Sequence, residues 1–97
     1  MENLITLSNG IIMPALGFGT YKTGNEEETI EAVKAALKVG YRHIDTASFY
    51  GNEVGVGKGI KKSGVPRKEI FLTTKLWQHE QGFKNTLKAF EDSCKRL

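Results

Sequence analysis

The chain has 97 residues, of which 39% are hydrophobic and 26% charged, so its size and composition are those of a single ordinary globular domain. The net charge of +3 is mild and no clustered basic patch is visible, which disfavours nucleic-acid binding. No apolar run is long enough for a membrane span, and the amino terminus lacks the pattern of a secretory signal. We therefore expect a cytoplasmic protein, and the single Cys94 agrees with a reducing compartment.

The amino-terminal residues predict a β-hairpin and then a short strand. Apolar runs at residues 4–7 and 11–13 flank the pair Asn9-Gly10, and such a pair favours a tight turn because both residues tolerate positive φ. Pro14 is expected to end the hairpin, and residues 15–19 are predicted to form the first strand of a separate sheet.

Helix 1 has clear sequence signals at both of its ends. Asn25 can cap its first turn, and Glu28 stands three residues later, which is the spacing of a capping box. Apolar residues at helical spacing, among them Val33 and Leu37, predict a buried stripe. Gly40 is expected to end the helix.

Two more strand and helix pairs follow. The strand at residues 41–45 precedes a helix at residues 52–62, and the strand at residues 69–74 precedes a third helix. The second helix holds three glycines, each of which costs about 0.8–1 kcal/mol in a helix interior, and we expect them to let this helix approach the sheet closely. The third helix carries an apolar stripe that we predict to be buried, formed by Phe83, Leu87, Phe90, Cys94 and Leu97.

This order predicts an α/β protein with a parallel sheet and right-handed crossovers. Both a doubly wound sheet and part of a (β/α)₈ barrel fit the order, but three units cannot close a barrel that needs eight. The third helix has no stop signal before the last residue. The sequence therefore looks cut, and we expect an open sheet edge that either pairs with another chain or self-associates.

A candidate site is predicted at the carboxyl ends of the second and third strands, where Asp45, Lys75 and the loop residue Tyr50 fall. Adjacent parallel strands lie about 4.8 Å apart, which would bring the three side chains together. An ammonium group beside a phenol favours the phenolate, so Tyr50 could protonate an oxygen that gains negative charge. The alternatives are a turn cap for Asp45, a solvated loop lysine for Lys75 and a packing role for Tyr50.

Other chemical signals are weaker. His43 and His79 have no third ligand at metal spacing, so no metal site is predicted. The glycines at 55, 57 and 59 do not match a phosphate-binding loop. Trp77 is either a core anchor or the wall of an apolar substrate pocket.

Four segments resemble the amino-terminal third of the aldo-keto reductases: residues 17–20, 40–47, 50–53 and 74–77. The resemblance implies a (β/α)₈ barrel whose amino-terminal mouth is closed by the hairpin, and NADPH-dependent reduction of small aldehydes and ketones. By position it implies that Tyr50, Asp45 and Lys75 are catalytic.

The resemblance also implies a cofactor site and a substrate site. Gly19, Thr20, Tyr21 and Asp45 would line the nicotinamide end of the cofactor, and Tyr21 and Trp77 the substrate pocket. A histidine that completes the family's catalytic set would follow the fourth strand, after Leu97, so we expect residues 1–97 to be an amino-terminal portion of one barrel domain that is inactive alone. The alternative is a non-catalytic fragment whose open sheet is completed by self-association or by a complementary chain.

Overall fold

The computed structural model describes residues 3–97 and contains a hairpin, a parallel sheet and three helices. The hairpin strands are β1 (Leu4–Thr6) and β2 (Ile12–Pro14), which pair antiparallel with Ile5 opposite Met13. Gly10 adopts a φ of +87° in the turn, and Asn9 accepts a hydrogen bond from the Ile11 N–H through its side chain, at 3.1 Å. The predicted hairpin is confirmed, including its end at Pro14.

The sheet has the order β3-β4-β5, with both strand pairs parallel. Its strands are β3 (Phe18–Gly19), β4 (His43–Asp45) and β5 (Phe71–Thr73), each shorter than predicted. The helices are α1 (Glu26–Lys38), α2 (Glu53–Ser63) and α3 (Phe83–Arg96). Within residues 3–97 the sheet does not close, because the outer edges of β3 and β5 pair with no further strand.

The core lies between the sheet and the first two helices. Its fully or almost fully buried side chains come from α1, β4, α2 and the residue before β5: Val33, Leu37, Ile44, Val56, Ile60 and Ile70. The predicted capping box of α1 is confirmed, since Asn25 accepts a hydrogen bond from the Glu28 N–H at 2.9 Å and the Glu28 carboxylate accepts one from the Asn25 N–H at 3.3 Å.

The glycines of α2 do allow a close approach, but the predicted partner was wrong. A Cβ at Gly59 would lie 2.8 Å from Val33 Cβ, and one at Gly55 would lie 3.1 Å from the Thr29 side chain. Both neighbours belong to α1. At Gly57 a Cβ would lie 2.5 Å from the carbonyl oxygen of Arg96, at the end of α3. The glycines therefore bring helix to helix, not helix to sheet.

The prediction that the apolar stripe of α3 is buried was also wrong for most of its length, since only Leu97, at its end, packs against the core. Phe83 is 84% exposed and Phe90 65% exposed, and Cys94 is exposed as well. The side chains that α3 buries are Ala89 and Ser93, on the face that turns towards α2 and the carboxyl end of β5. Cys94 is therefore not a core residue, because the helix packs on its small and polar face.

Candidate active site

The sheet places the three predicted side chains at one edge. Asp45 ends β4 directly opposite Thr73, which ends β5, and Lys75 follows two residues later. The Lys75 ammonium group forms an ion pair and a hydrogen bond with the Asp45 carboxylate. The ammonium nitrogen also lies 5.3 Å from the centre of the Tyr50 ring. The structure thus brings the acid, the amine and the phenol together.

A short helical turn, Ser48–Tyr50, presents the phenol at this edge. Gly51 ends the turn with a φ of +69°, a conformation that glycine adopts without strain. The Ser48 N–H donates a hydrogen bond to the Lys75 carbonyl oxygen at 3.2 Å, so the turn is attached to the loop that carries the lysine. The phenol and the amine are therefore held relative to one another by backbone contacts.

The charge on Lys75 is stabilised by its surroundings. Burial opposes the charge and would lower the pKa of Lys75, but the hydrogen bond and the negative charge of Asp45, with a smaller contribution from Tyr50, outweigh it. The pKa of Lys75 is therefore raised above its ordinary value of 10.5, and the side chain is an ammonium ion at neutral pH. The pair is 47% and 42% exposed, so it contributes little to stability, and its chemical role matters more.

The predicted cofactor residues differ in how far they are exposed to solvent. Gly19 is exposed, and a Cβ built on it would meet nothing within 4 Å. Tyr21 is 58% exposed, with its ring centre 5.0 Å from that of Tyr50. Thr20 is fully buried, and both its N–H and its hydroxyl donate to the Asp45 carbonyl oxygen, at 3.0 and 3.1 Å. Thr20 thus holds the backbone of Asp45 in place through two hydrogen bonds.

Trp77 is not a core anchor. Its side chain is 38% exposed and stacks on Phe49, with ring centres 4.9 Å apart. His79 meets the Trp77 ring edge-on, with a centre-to-centre distance of 4.5 Å. Phe49 directly precedes Tyr50, so the three rings form an exposed aromatic cluster beside the candidate site.

Sequence reasoning missed Asn52 and Glu80. Asn52 precedes α2, where an Asn is normally a helix cap, but its amide instead accepts from the Thr46 hydroxyl at 2.8 Å and donates to the Thr20 carbonyl at 2.7 Å. Glu80 accepts from the Ser48 hydroxyl at 2.5 Å and the Trp77 N–H at 2.8 Å. These hydrogen bonds lower the pKa of Glu80, and the one from Ser48 has the larger effect.

Within residues 3–97, no helix combines the length and the hydrophobicity that crossing a membrane requires, and no group of three potential metal-binding side chains is found. His43 instead links separate elements. Its Nδ1 lies 3.1 Å from the Pro14 carbonyl oxygen and its Nε2 lies 2.9 Å from the Thr73 hydroxyl. This histidine therefore joins the hairpin to the sheet.

Comparison with known proteins identifies similar sequences and folds. The model of the Aldo/keto reductase family matches residues 15–97. The glyoxal reductase of Bacillus subtilis is 53% identical over 97 residues, which are all of this chain and 35% of that protein.

Two crystal structures are similar throughout the chain. An aldo/keto reductase from Brucella melitensis has a TM-score of 0.92 and 53% identity, over 97% of this chain and 36% of that one. A Bombyx mori aldo-keto reductase in complex with NADP has a TM-score of 0.93 and 36% identity, over 98% of this chain and 34% of that one. The chain therefore spans about a third of the length of these proteins. The likeness confirms the predicted fold class, a hairpin and three βα units that match the amino-terminal part of a (β/α)₈ barrel.

Proposed function

Because this chain belongs to the aldo/keto reductase family, we propose that residues 1–97 are the amino-terminal portion of one barrel domain that reduces small aldehydes and ketones with NADPH. The observation that carries the proposal is the contact of Lys75 with Asp45 beside the Tyr50 ring, at the carboxyl edge of a parallel sheet. In barrels of this kind, that edge is where catalytic groups collect. The cytoplasmic location stays a prediction of the sequence.

In the proposed reaction Tyr50, Lys75 and Asp45 together deliver one proton to the substrate oxygen. Bound NADPH supplies a hydride to the carbonyl carbon, which leaves negative charge on the oxygen. The Tyr50 hydroxyl donates its proton to that oxygen, and the resulting phenolate is stabilised by the Lys75 ammonium. Asp45 keeps the lysine charged and in place, as the raised pKa of Lys75 indicates.

The residues at this edge suit the nicotinamide end of the cofactor. The ring is flat and carries an amide, and the open space over Gly19, the exposed ring of Tyr21 and the Asp45 carboxylate offer a matching surface. Thr20 is expected to act by holding Asp45. For the substrate, the exposed ring of Tyr21 provides apolar surface next to Tyr50, and the exposed ring of Trp77 provides more against Phe49, the residue before Tyr50.

The experiment combines the 97-residue chain with a recombinant chain covering the part of the Bacillus subtilis glyoxal reductase that it does not match. Oxidation of NADPH with an aromatic aldehyde is followed by absorbance. We expect turnover from the mixture and none from either chain alone, because the sheet of residues 3–97 is open. Turnover by the 97-residue chain alone would contradict its expected inactivity.

Substitutions in this mixture test the roles of the three side chains. Tyr50→Phe should reduce turnover by about 10²–10⁴-fold while NADPH binding is retained. Tyr41→Phe is the matched control, since Tyr41 precedes β4 and lies at the other end of the strand. Loss of NADPH affinity in Tyr50→Phe would instead show a structural role.

Lys75→Met should be nearly as severe, because it removes the charge beside the phenol and leaves Asp45 unpaired. Lys58→Met is its control, since Lys58 forms an exposed ion pair with Glu26 at 3.0 Å, on the surface where α1 and α2 meet. Similar turnover in the two lysine variants would exclude a catalytic role for Lys75.

The exposed face of α3 supports a second candidate function, that of a non-catalytic fragment completed by self-association or by a complementary chain. Phe83 and Phe90 are 84% and 65% exposed, and large apolar patches of this kind mark interaction surfaces. This candidate predicts an oligomer in sedimentation velocity that Phe90→Ser dissociates, and no turnover in the mixture. A monomer that becomes active in the mixture would exclude it.

A further inference from the structure

A carboxylate that the proposed reaction does not use lies buried behind the candidate site. Glu53 is the first residue of α2, and its side chain is only 1% exposed. Burying a charge is costly unless it is paired and hydrogen-bonded, and a well-packed apolar residue often serves stability equally well. The position of its partners indicates what this carboxylate does.

The two oxygens of Glu53 serve different parts of the fold. Oε1 accepts hydrogen bonds from α3, from the Ser93 hydroxyl at 3.1 Å and from Arg96 Nε at 2.6 Å. Oε2 accepts one from the Thr74 hydroxyl at 2.6 Å, just past the end of β5. Glu53 therefore connects α3 to the carboxyl end of the sheet.

The position of Thr74 in the chain affects the placement of Lys75. It lies between Thr73, which pairs with Asp45, and Lys75, whose ammonium group contacts the Asp45 carboxylate. A fixed Thr74 side chain restricts the backbone from which the Lys75 side chain extends. Glu53 itself follows Tyr50 by three residues, so the chain connects it to the turn that presents the phenol, and its carboxylate binds Thr74 in the segment that presents the amine.

We propose that Glu53 is a positioning residue, which holds Lys75 against Asp45 and Tyr50 by binding the Thr74 hydroxyl; this rests on the proposed function. Arg96 pairs with the buried carboxylate, and hydrogen bonds that involve such a charged group are stronger than neutral ones. Ser93 also donates to Glu53, but it lies on α3, and among the described residues its side chain makes no hydrogen bond to the segment of Lys75.

This difference provides a matched pair of variants. Thr74→Val and Ser93→Ala each remove one hydroxyl donor to the same carboxylate, but only the first releases the segment of Lys75. In the reconstituted mixture, we expect Thr74→Val to lower kcat about tenfold with KM for the aldehyde within about twofold, since misplacing a catalytic group chiefly affects the chemical step. Ser93→Ala should leave both constants within about twofold, and Thr74→Ser should restore kcat.

A second measurement does not depend on turnover. The titration of Lys75 is followed by NMR of its side chain in the 97-residue protein. Thr74→Val should move the pKa of Lys75 down towards 10.5, because the lysine is no longer held against Asp45, whereas Ser93→Ala should leave it unchanged. If the wild-type mixture shows no turnover, the proposed function fails and this titration alone decides the role of Glu53.

Equal effects of Thr74→Val and Ser93→Ala, or no effect of either, would overturn the proposal and leave Glu53 a purely structural residue. If Thr74→Val does not fold, Glu53→Asp replaces it, because the shorter side chain keeps the charge near Arg96 and withdraws it from Thr74. The same lowering of kcat and of the pKa of Lys75 is expected, and their absence in Glu53→Asp would equally overturn the proposal.

Discussion

Helices α1 and α3 are amphipathic and similar in length, with 13 and 14 residues, but they differ in what covers their apolar stripes. Val33 and Leu37 of α1 are 0% and 1% exposed, whereas Phe83 and Phe90 of α3 are 84% and 65% exposed. The same periodicity thus produces a core in one case and an open surface in the other.

The difference arises from the partners that each helix meets. α1 packs against α2, where Gly55 and Gly59 allow close contact. α3 meets α2 only near its end, at Gly57 and through the Glu53 and Arg96 pair, so its apolar side chains have no such counterpart in residues 3–97. Amphipathic spacing therefore predicts that a helix has an apolar stripe, but not whether another element of the fold packs over it.

The largest expected effect is the loss of a side chain from the covered stripe. Leu37→Ala should lower the free energy of unfolding by about 2–5 kcal/mol, since it removes apolar contacts and leaves a cavity. Leu87→Ala, at a position that is 52% exposed, should change it by less than about 0.5 kcal/mol. Urea denaturation of both variants measures the contrast, and equal losses would mean that the stripe of α3 is covered in solution.

The next effect tests the contact between α1 and α2. Gly59→Ala should destabilise the protein, because overpacking against Val33 costs about 1–3 kcal/mol and exceeds the gain of about 1 kcal/mol in helix propensity. Lys61→Ala, at an exposed position of the same helix, should be close to neutral. A stabilised Gly59→Ala in thermal unfolding would show that the two helices are further apart.

A smaller effect is expected at the helix starts. Asn25→Ala removes the cap of α1 and should cost about 1 kcal/mol. Asn85→Ala is the counterpart in α3, whose first turn has no side-chain cap at Gly82, and there the change should be only a few tenths of a kcal/mol. Comparable losses in denaturant unfolding would contradict the capping geometry.

The smallest effect concerns pH and the loop before α3. In the folded protein the hydrogen bond from the Ser48 hydroxyl, and to a smaller extent the one from the Trp77 N–H, lowers the pKa of Glu80. The stabilisation that the ionised Glu80 side chain provides is therefore present above its ordinary pKa of 4.5 and is lost as the pH falls through the lowered value. Glu80→Gln should flatten this part of the acid unfolding curve, measured by circular dichroism. An unchanged curve would exclude the contribution.

Much of the candidate site was predictable. Asp45 and Lys75 could be placed together because parallel strands end at one edge, and the structure has them in contact. Asn52 and Glu53 could not be recognised in the same way. Their partners lie far away in the chain, such as Thr20 for Asn52 and Arg96 for Glu53, 32 and 43 residues distant.

Local interactions depend on residues that are close together in the sequence. The sequence alone therefore predicts the hairpin turn at Asn9 and Gly10, the capping box of Asn25 and Glu28, and the alternation of strands and helices. Packing is a property of surfaces that meet after folding. Which helix the α2 glycines contact, that Ser93 instead of Cys94 turns inward, and how Glu53 divides its two oxygens depend on the positions of several elements at once, and no local pattern carries that information.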